Sequence, residues 1–311
     1  MTTGLFTHSI CAAHEMGSWH PECPARLAAI QDQLIVSGLD PFLEHVDAPP
    51  ASLEAVARAH SAEYVHSLSA RAPKQGYVPL DPDTSMNPAT WQAALRAAGA
   101  VVEATDRVLA GTLANAFCAV RPPGHHARPG SAMGFCLLNN IAIGALHALE
   151  ARGLERVAII DFDVHQGNGT EEILGAVDGS QERVLMASFF QHPFYPYAGT
   201  ENPAKNMVNV PLPAGTGGEK VLSVVDDVWL PRLEAFRPQL IMISAGFDAH
   251  REDDLGQMSL VEADYAHITR RLMDLAGRHS SGRVVSSLEG GYNLSALARS
   301  VVAHVRVLAR L

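Results

Sequence analysis

Short apolar runs alternate along the chain with longer segments whose apolar residues recur at helical spacing. The strand-like runs lie at residues 2–7, 115–120, 156–160, 183–188, 239–245 and 283–288. Helical spacing is found at residues 27–35, 88–110 and 137–149, and a mixed or helical pattern at 51–68. Apolar runs bounded by polar residues are typical of buried parallel strands. The alternation predicts a parallel sheet with right-handed helical crossovers.

Potentially reactive side chains follow four of these strand candidates. They are His125 and His126, then Asp161, Asp163 and His165, then Asp248, and finally Tyr292. Ligands of open parallel α/β sheets bind beyond the carboxyl ends of the strands, so these groups should converge at one edge. Convergence from four separate strands is much harder to ascribe to chance than any one group alone.

The stretch 159–170, IIDFDVHQGNGT, presents carboxylates and an imidazole at alternate positions. Alternate side chains of an extended segment point to the same side, so Asp161, Asp163 and His165 should share one face. This combination suits zinc or a similar divalent ion. The alternative is that these residues only terminate the strand. Gly167 and Gly169 permit a sharp turn before a helix that we expect to begin near Thr170.

Composition limits the classes of protein that fit. The chain has 311 residues, 47% of them hydrophobic, and a formal net charge of −10. The negative charge argues against direct nucleic-acid or membrane-surface binding. We expect neither a signal peptide nor a membrane span. Cys11, Cys23, Cys118 and Cys136 show no CxxC spacing, which favours reduced thiols and a cytoplasmic location.

The groups at the strand ends suffice for hydrolysis of an amide or ester carbonyl. Asp163, His165 and Asp248 would leave positions open on a metal ion, as in catalytic zinc sites. One of the adjacent His125 and His126 could transfer protons. Tyr292 could stabilise an oxyanion. The sequence contains no GxSxG, GxxxxGK[ST] or HExxH motif.

Two further stretches are ambiguous. For His20, Glu22 and Arg26 the sequence alone gives no reason to prefer a functional role over a surface turn. The aromatic-rich loop at 189–197 could wall a pocket.

The motifs RPPGHHA, MGFCLLNN, DFDVHQGNGT, SAGFDAH and LEGGYN, in this order, resemble the zinc-dependent histone deacetylase family. HPECPARL and AMGFCLLNN resemble its class II branch, which includes bacterial deacetylase-like amidohydrolases and acetylpolyamine amidohydrolases. The resemblance implies one domain over residues 1–311 with the three-layer arginase–deacetylase α/β fold. Its central, mostly parallel sheet would have about eight strands, with helices on both faces.

The resemblance also implies roles for individual residues. Zinc would be bound by Asp163, His165 and Asp248, and potassium by backbone carbonyls of Asp161, Asp163, His165, Ser188 and Phe189. Catalysis would use His125, His126 and Tyr292, with His126 as the general base and Asp161 and Asn168 as partners of the two histidines. Gly134, Phe135 and Tyr195 would line an acyl-lysine tunnel, although Phe194 could take the place of Tyr195. Arg26 would lie near the pocket floor.

Departures from the family pattern affect specificity. Gln166 stands where the family usually has a second His. Leu255 stands where polyamine-selective relatives often carry an acidic residue, which favours acyl-lysine as substrate. Asp83 is a candidate for binding the substrate backbone or amine. The favoured prediction is a zinc-dependent deacetylase acting on acyl-lysine or a similar primary amine.

Other functions remain open at this point. An acetylpolyamine amidohydrolase is the alternative, and a silent acyl-lysine-binding protein is a remote one. A two-manganese ureohydrolase would need more carboxylate ligands than the sequence offers. A homo-oligomer is compatible with the sequence.

Overall fold

Eight parallel strands form the central sheet in the computed structural model, which describes residues 2–201 and 203–311. The described residues form ten strands in all: β1 (Thr3–Thr7), β2 (Leu43–Asp47), β3 (Val78–Pro79), β4 (Ser85–Met86), β5 (Asn115–Cys118), β6 (Val157–Asp161), β7 (Val184–Gln191), β8 (Met207–Leu212), β9 (Leu240–Ala245) and β10 (Val284–Leu288). The sheet has the order β2-β1-β5-β10-β9-β6-β7-β8, and β3 and β4 form a separate antiparallel hairpin. The strands that end in reactive residues, β5, β10, β9 and β6, are therefore neighbours at its centre.

Helices cover both faces of the sheet. They are α1 (Ser9–Ala13), α2 (Ala25–Val36), α3 (Leu53–Ala57), α4 (Ala62–Arg71), α5 (Thr90–Leu109), α6 (Asn140–Leu146), α7 (Asn168–Gly175), α8 (Ser180–Arg183), α9 (Gly218–Val224), α10 (Leu230–Phe236), α11 (Glu262–His279) and α12 (Leu294–Leu308). A 3₁₀ turn lies at Asp40–Phe42, and π-helical turns at His147–Ala151 and Val225–Trp229 continue α6 and α9.

The core consists of two apolar layers separated by the sheet. Along β6, Val157 and Ile159 pack with α5 and α6, whereas Ala158 and Ile160 pack on the opposite face with α11 and α12. Both sides of each central strand are thus buried, which explains their near-continuous apolar sequences. The predicted three-layer α/β architecture is confirmed.

The predicted central strands and main helices are confirmed, with ends shifted by a few residues. The two edge strands β2 and β8 are not among the predicted strands. β2 has a Glu-His pair at exposed positions, and β8 contains Pro211, which the sheet tolerates at an edge because the residue lacks a donor N–H.

The expectation of a surface turn around Glu22 is wrong. Glu22 and Arg26 are fully buried, and His20 is nearly so. The Glu22 carboxylate accepts hydrogen bonds from Arg121 Nη2 (2.6 Å) and Arg26 Nη1 (3.1 Å). Burial raises the pKa of Glu22, but Arg121 and His14 outweigh burial and hold this pKa well below its ordinary value. One carboxylate therefore compensates two buried guanidinium groups.

Replacing Glu22 by glutamine should strongly destabilise the fold. Two buried guanidinium groups would lose their counter-charge, and breaking such a pair costs about 3–5 kcal/mol. Urea unfolding should show this loss. The control is Glu103→Gln, which breaks the more exposed ion pair with Arg107 and should cost about 0–1 kcal/mol. Equal losses in the two variants would contradict the assigned role of Glu22.

Candidate active site

The end of β6 places two acidic residues and a histidine at the carboxyl edge of the sheet. Asp163 Oδ1 accepts hydrogen bonds from the backbone N–H of His165 (2.9 Å) and lies 3.0 Å from His165 Nδ1. Asp248, which follows β9, places Oδ2 3.2 Å from the same Nδ1. One ligand atom each from Asp163, His165 and Asp248 lies within 4.8 Å of the others.

These three side chains meet the requirements of a divalent cation. Burial and the neighbouring Asp163 carboxylate raise the pKa of Asp248 to about 7. Asp248 Oδ1 accepts a hydrogen bond from the Val164 N–H (2.9 Å), whereas the buried Oδ2, although 3.2 Å from His165 Nδ1, has no partner with hydrogen-bond geometry among the described residues. A cation would compensate both the repulsion and the unpaired oxygen. Two carboxylates and an imidazole are ligands that zinc accepts.

A glycine allows the two carboxylates to approach the loop after β10. The Gly290 N–H donates to Asp163 Oδ2 (2.8 Å). A Cβ atom at Gly290 would lie 1.9 Å from Asp248 Oδ2 and 2.6 Å from Asp163 Oδ2. Any other residue would therefore displace the ligand side chains.

The tandem histidines have different hydrogen-bond partners. His125 Nδ1 lies 3.1 Å from Asp161 Oδ2, and His126 Nδ1 lies 2.8 Å from Asn168 Oδ1. Asn168 Nδ2 donates to Met133 Sδ (3.4 Å), which leaves the amide oxygen for His126. Because this oxygen can only accept, His126 Nδ1 carries the hydrogen and Nε2 is free to accept a proton.

The different partners separate the pKa values of the two histidines. Burial lowers the pKa of His125, but the Asp163 and Asp161 carboxylates outweigh burial and raise it to about 10. Burial and the charges of His125 and His165 hold the pKa of His126 well below its ordinary value. The opposite shifts favour a cationic His125 beside a neutral His126, and the two ring centroids lie 4.0 Å apart.

A cavity of roughly 300 Å³ leads to these groups. The predicted substrate-binding residues Asp83, Gly134, Phe135, Tyr195 and Leu255 all line it, together with His126, His165, Phe194, Asp254, Gln257 and Tyr292. His125 is not among the lining residues, so of the two histidines His126 faces the cavity.

Aromatic rings form the cavity wall. Tyr195 packs edge-on against His126 (5.3 Å between centroids), and Phe194 stacks on His165 (5.4 Å). The sequence left open whether Tyr195 or Phe194 lines the cavity, and in the structure both do. Phe135 also lines the cavity and has a left-handed φ of 68°, and its N–H donates to Thr84 Oγ1 (2.9 Å). A Cβ atom at the preceding Gly134 would lie 2.4 Å from the His126 ring.

Tyr292 is half-buried beside the ligand residues, and its ring packs against Phe135 (5.8 Å). The Arg26 guanidinium lies 5.0 Å from the Tyr292 ring centroid. The buried Asp253 carboxylate accepts hydrogen bonds from the backbone N–H groups of Tyr292 (2.6 Å) and Asn293 (3.0 Å). Asp253 is not among the predicted site residues, because it lies in an acidic stretch and belongs to no recognisable motif.

Asp161, Ser188 and Gln166, which were also singled out in the sequence, do not line the cavity. Asp161 and Ser188 are paired across β6 and β7, so the segments predicted to bind potassium are adjacent. Gln166 points away from the cavity and donates to the Glu171 carboxylate, which also accepts from Asn209 (2.9 Å). The glutamine therefore links the segment of His165 to α7.

Residues 20–308 match the family model of the histone deacetylase domain. The chain belongs to the histone deacetylase family. It is 40% identical over 302 residues to a probable deacetylase of Archaeoglobus fulgidus, covering 94% of this chain and 82% of the relative. It is 37% identical over 316 residues to a histone deacetylase-like amidohydrolase of Pseudomonas aeruginosa, with the same coverage of 94% and 82%.

The fold agrees with this membership. The crystal structure of the HDA15 HD domain superimposes with a TM-score of 0.92 at 35% identity, over 99% of this chain and 88% of that one. The chain is thus a hydrolase of the histone deacetylase family. Among the helices of the described residues, none has the length and apolar character that crossing a membrane requires.

Proposed function

We propose that the protein is a zinc-dependent amidohydrolase that removes an acetyl group from acyl-lysine or a similar primary amine. The observation that carries the proposal is the meeting of His126, Tyr292 and the candidate ligand triad around His165 at one aromatic-walled cavity. A linear acyl-amine fits such a passage because aromatic walls contact its methylene groups while polar groups meet the amide.

Asp163, His165 and Asp248 would hold the zinc ion. When bound, zinc supplies Lewis acidity, which polarises a carbonyl and lowers the pKa of water. The buried Asp248 Oδ2 without a partner and the two close carboxylates support this assignment. Potassium would be bound through backbone carbonyls of Asp161, Asp163, His165, Ser188 and Phe189, and the adjacency of β6 and β7 supports that placement.

His126 would act as the general base, since its Nδ1–H donates to Asn168 and its ring faces the cavity. It would take a proton from water at Nε2 and deliver it to the nitrogen of the departing amine. His125, hydrogen-bonded to Asp161, would remain cationic and stabilise negative charge. The Tyr292 hydroxyl would donate a hydrogen bond to the developing oxyanion.

A second candidate substrate class is the acetylated polyamines. Asp83 and the exposed Asp254 both line the cavity, and two carboxylates would attract an additional ammonium group. Leu255 lines the same cavity and would supply an apolar contact that favours the alkyl part of a peptide substrate. The wall thus contains features of both specificities.

Side-by-side kinetics test the proposal. The zinc-loaded protein is given an acetyl-lysine peptide, N-acetylputrescine and N-acetylspermidine, and kcat/KM is measured for each. We expect the peptide to be preferred. A preference for the polyamines would retain the hydrolytic mechanism and transfer specificity to Asp83 and Asp254. Absence of turnover with all three, with zinc bound, would contradict the proposed deacetylase activity.

A further inference from the structure

Glu289 is fully buried at the end of β10, and its carboxylate is turned towards the tandem histidines. Its Oε2 atom accepts hydrogen bonds from the backbone N–H groups of Gly124 (2.6 Å) and His125 (3.1 Å). The Ser244 hydroxyl donates to Oε1 over a longer distance, 3.4 Å. Two backbone donors of the histidine loop thus depend on this single carboxylate.

The backbone around Glu289 is bonded to the other parts of the site. Its N–H donates to the carbonyl of Ala245 at the end of β9 (2.9 Å), and its carbonyl accepts from Arg26. The next N–H, of Gly290, donates to Asp163 Oδ2 (2.8 Å). Glu289 therefore connects the histidine loop with the strands that carry the ligand residues.

Alternative supports for the histidine loop lie farther along the chain. The His125 carbonyl accepts from the Thr170 N–H (3.1 Å), and Asn139 Nδ2 donates to the Ala127 carbonyl (3.1 Å). These bonds hold the carbonyl groups of the loop, whereas Glu289 holds its N–H groups. Desolvation of a buried carboxylate is unfavourable, and the hydrogen bonds from two backbone N–H groups and the Ser244 hydroxyl offset this cost.

We propose that Glu289 is a positioning residue that fixes His125 and His126 relative to the ligand residues. It acts through the backbone of Gly124 and His125 and belongs neither to the candidate ligand residues nor to the residues that line the cavity. The inference rests on the proposed function only for its kinetic readout, because the position of the loop can be measured without turnover.

Three substitutions separate the hydrogen-bond acceptor from the charge. Glu289→Leu keeps the size and removes the acceptor, Glu289→Gln keeps an acceptor without charge, and Glu289→Asp withdraws the carboxylate from the loop. We expect kcat to fall about 100-fold in the leucine variant and about tenfold in the aspartate variant, with KM within about threefold. The glutamine variant should stay within about fivefold of the wild-type kcat.

Hydrogen exchange followed by mass spectrometry provides the readout without activity. The amides of Gly124 and His125 should exchange faster in the leucine and aspartate variants than in the glutamine variant, while zinc content stays at one ion per chain in all. Thr269→Val is the matched control, because it removes a buried hydrogen bond to His304 on the far layer of the core. It should lower the unfolding temperature without changing kcat or the exchange of these amides.

Several results would overturn the inference. A leucine variant with normal kcat and normal amide exchange would show that the carboxylate does not position the loop. Loss of zinc in the glutamine variant would show that Glu289 acts through the ligand residues instead. If the leucine variant fails to fold, the aspartate variant decides by the same two readouts. A wild type without turnover would refute the proposed function, and faster amide exchange in the variants would still support the placement of Glu289.

Discussion

Replacing Asp163 by alanine should remove bound zinc and reduce kcat/KM by about 10³-fold or more. Asp163 would supply one of the three ligand atoms, and its carboxylate also accepts hydrogen bonds from the Gly290 N–H and the His165 N–H. The remaining His165 and Asp248 would offer too few ligands for tight binding. Metal content by atomic emission and turnover of the acetyl-lysine peptide measure the two effects.

The control for this substitution is Asp226→Ala, which breaks a surface ion pair with Arg271. It should retain both the ion and the turnover. An Asp163→Ala variant that loses the ion but binds the acetylated peptide as tightly as the wild type would contradict the enzyme assignment. It would favour a metal-independent binding protein.

His126→Ala should lower kcat by about 10²–10⁴-fold, the usual contribution of a general acid–base group, while zinc is retained. Burial and the charges of His125 and His165 lower the pKa of His126. The base is active when neutral, so activity falls as pH drops through this lowered pKa. In the wild type the acidic limb of kcat/KM should therefore lie below the ordinary pKa of imidazole, about 6.5.

Asn168→Asp is the matched variant for this titration. It replaces the amide partner of His126 with a carboxylate, which favours the protonated imidazole and raises its pKa. The acidic limb should move to higher pH, while zinc content stays constant. A normal pH profile in Asn168→Asp, or near-normal turnover in His126→Ala together with inactive His125→Ala, would assign the base to His125 instead.

The parts of the site that could be predicted from the sequence are those where one strand delivers its residues directly. The alternation of Asp161, Asp163 and His165 follows from the geometry of an extended chain, and the apolar run before them marks the strand. The cavity walls were predicted from the family resemblance, and Phe135 and Tyr195 do line the cavity.

Contacts between a side chain and a distant backbone could not be predicted. Glu289 and Asp253 bind N–H groups far away in the sequence, and neither partner has a recognisable pattern. The burial of Glu22 was not predicted because a charged residue between two prolines is typical of a solvated turn. In the structure, Arg121 and Arg26 compensate its buried charge. Edge strands were missed because they are buried on fewer sides and show weaker apolar patterns.

The position of β10 between β5 and β9 affects how the protein can fold during synthesis. β10 is the last strand along the chain, yet it occupies the middle of the sheet and pairs with both neighbours. The halves β2-β1-β5 and β9-β6-β7-β8 have no strand to join them until residues 284–288 have left the ribosome. Nascent chains should therefore expose the unpaired edges of β5 and β9 in addition to the outer edges β2 and β8, a state that favours aggregation and chaperone binding.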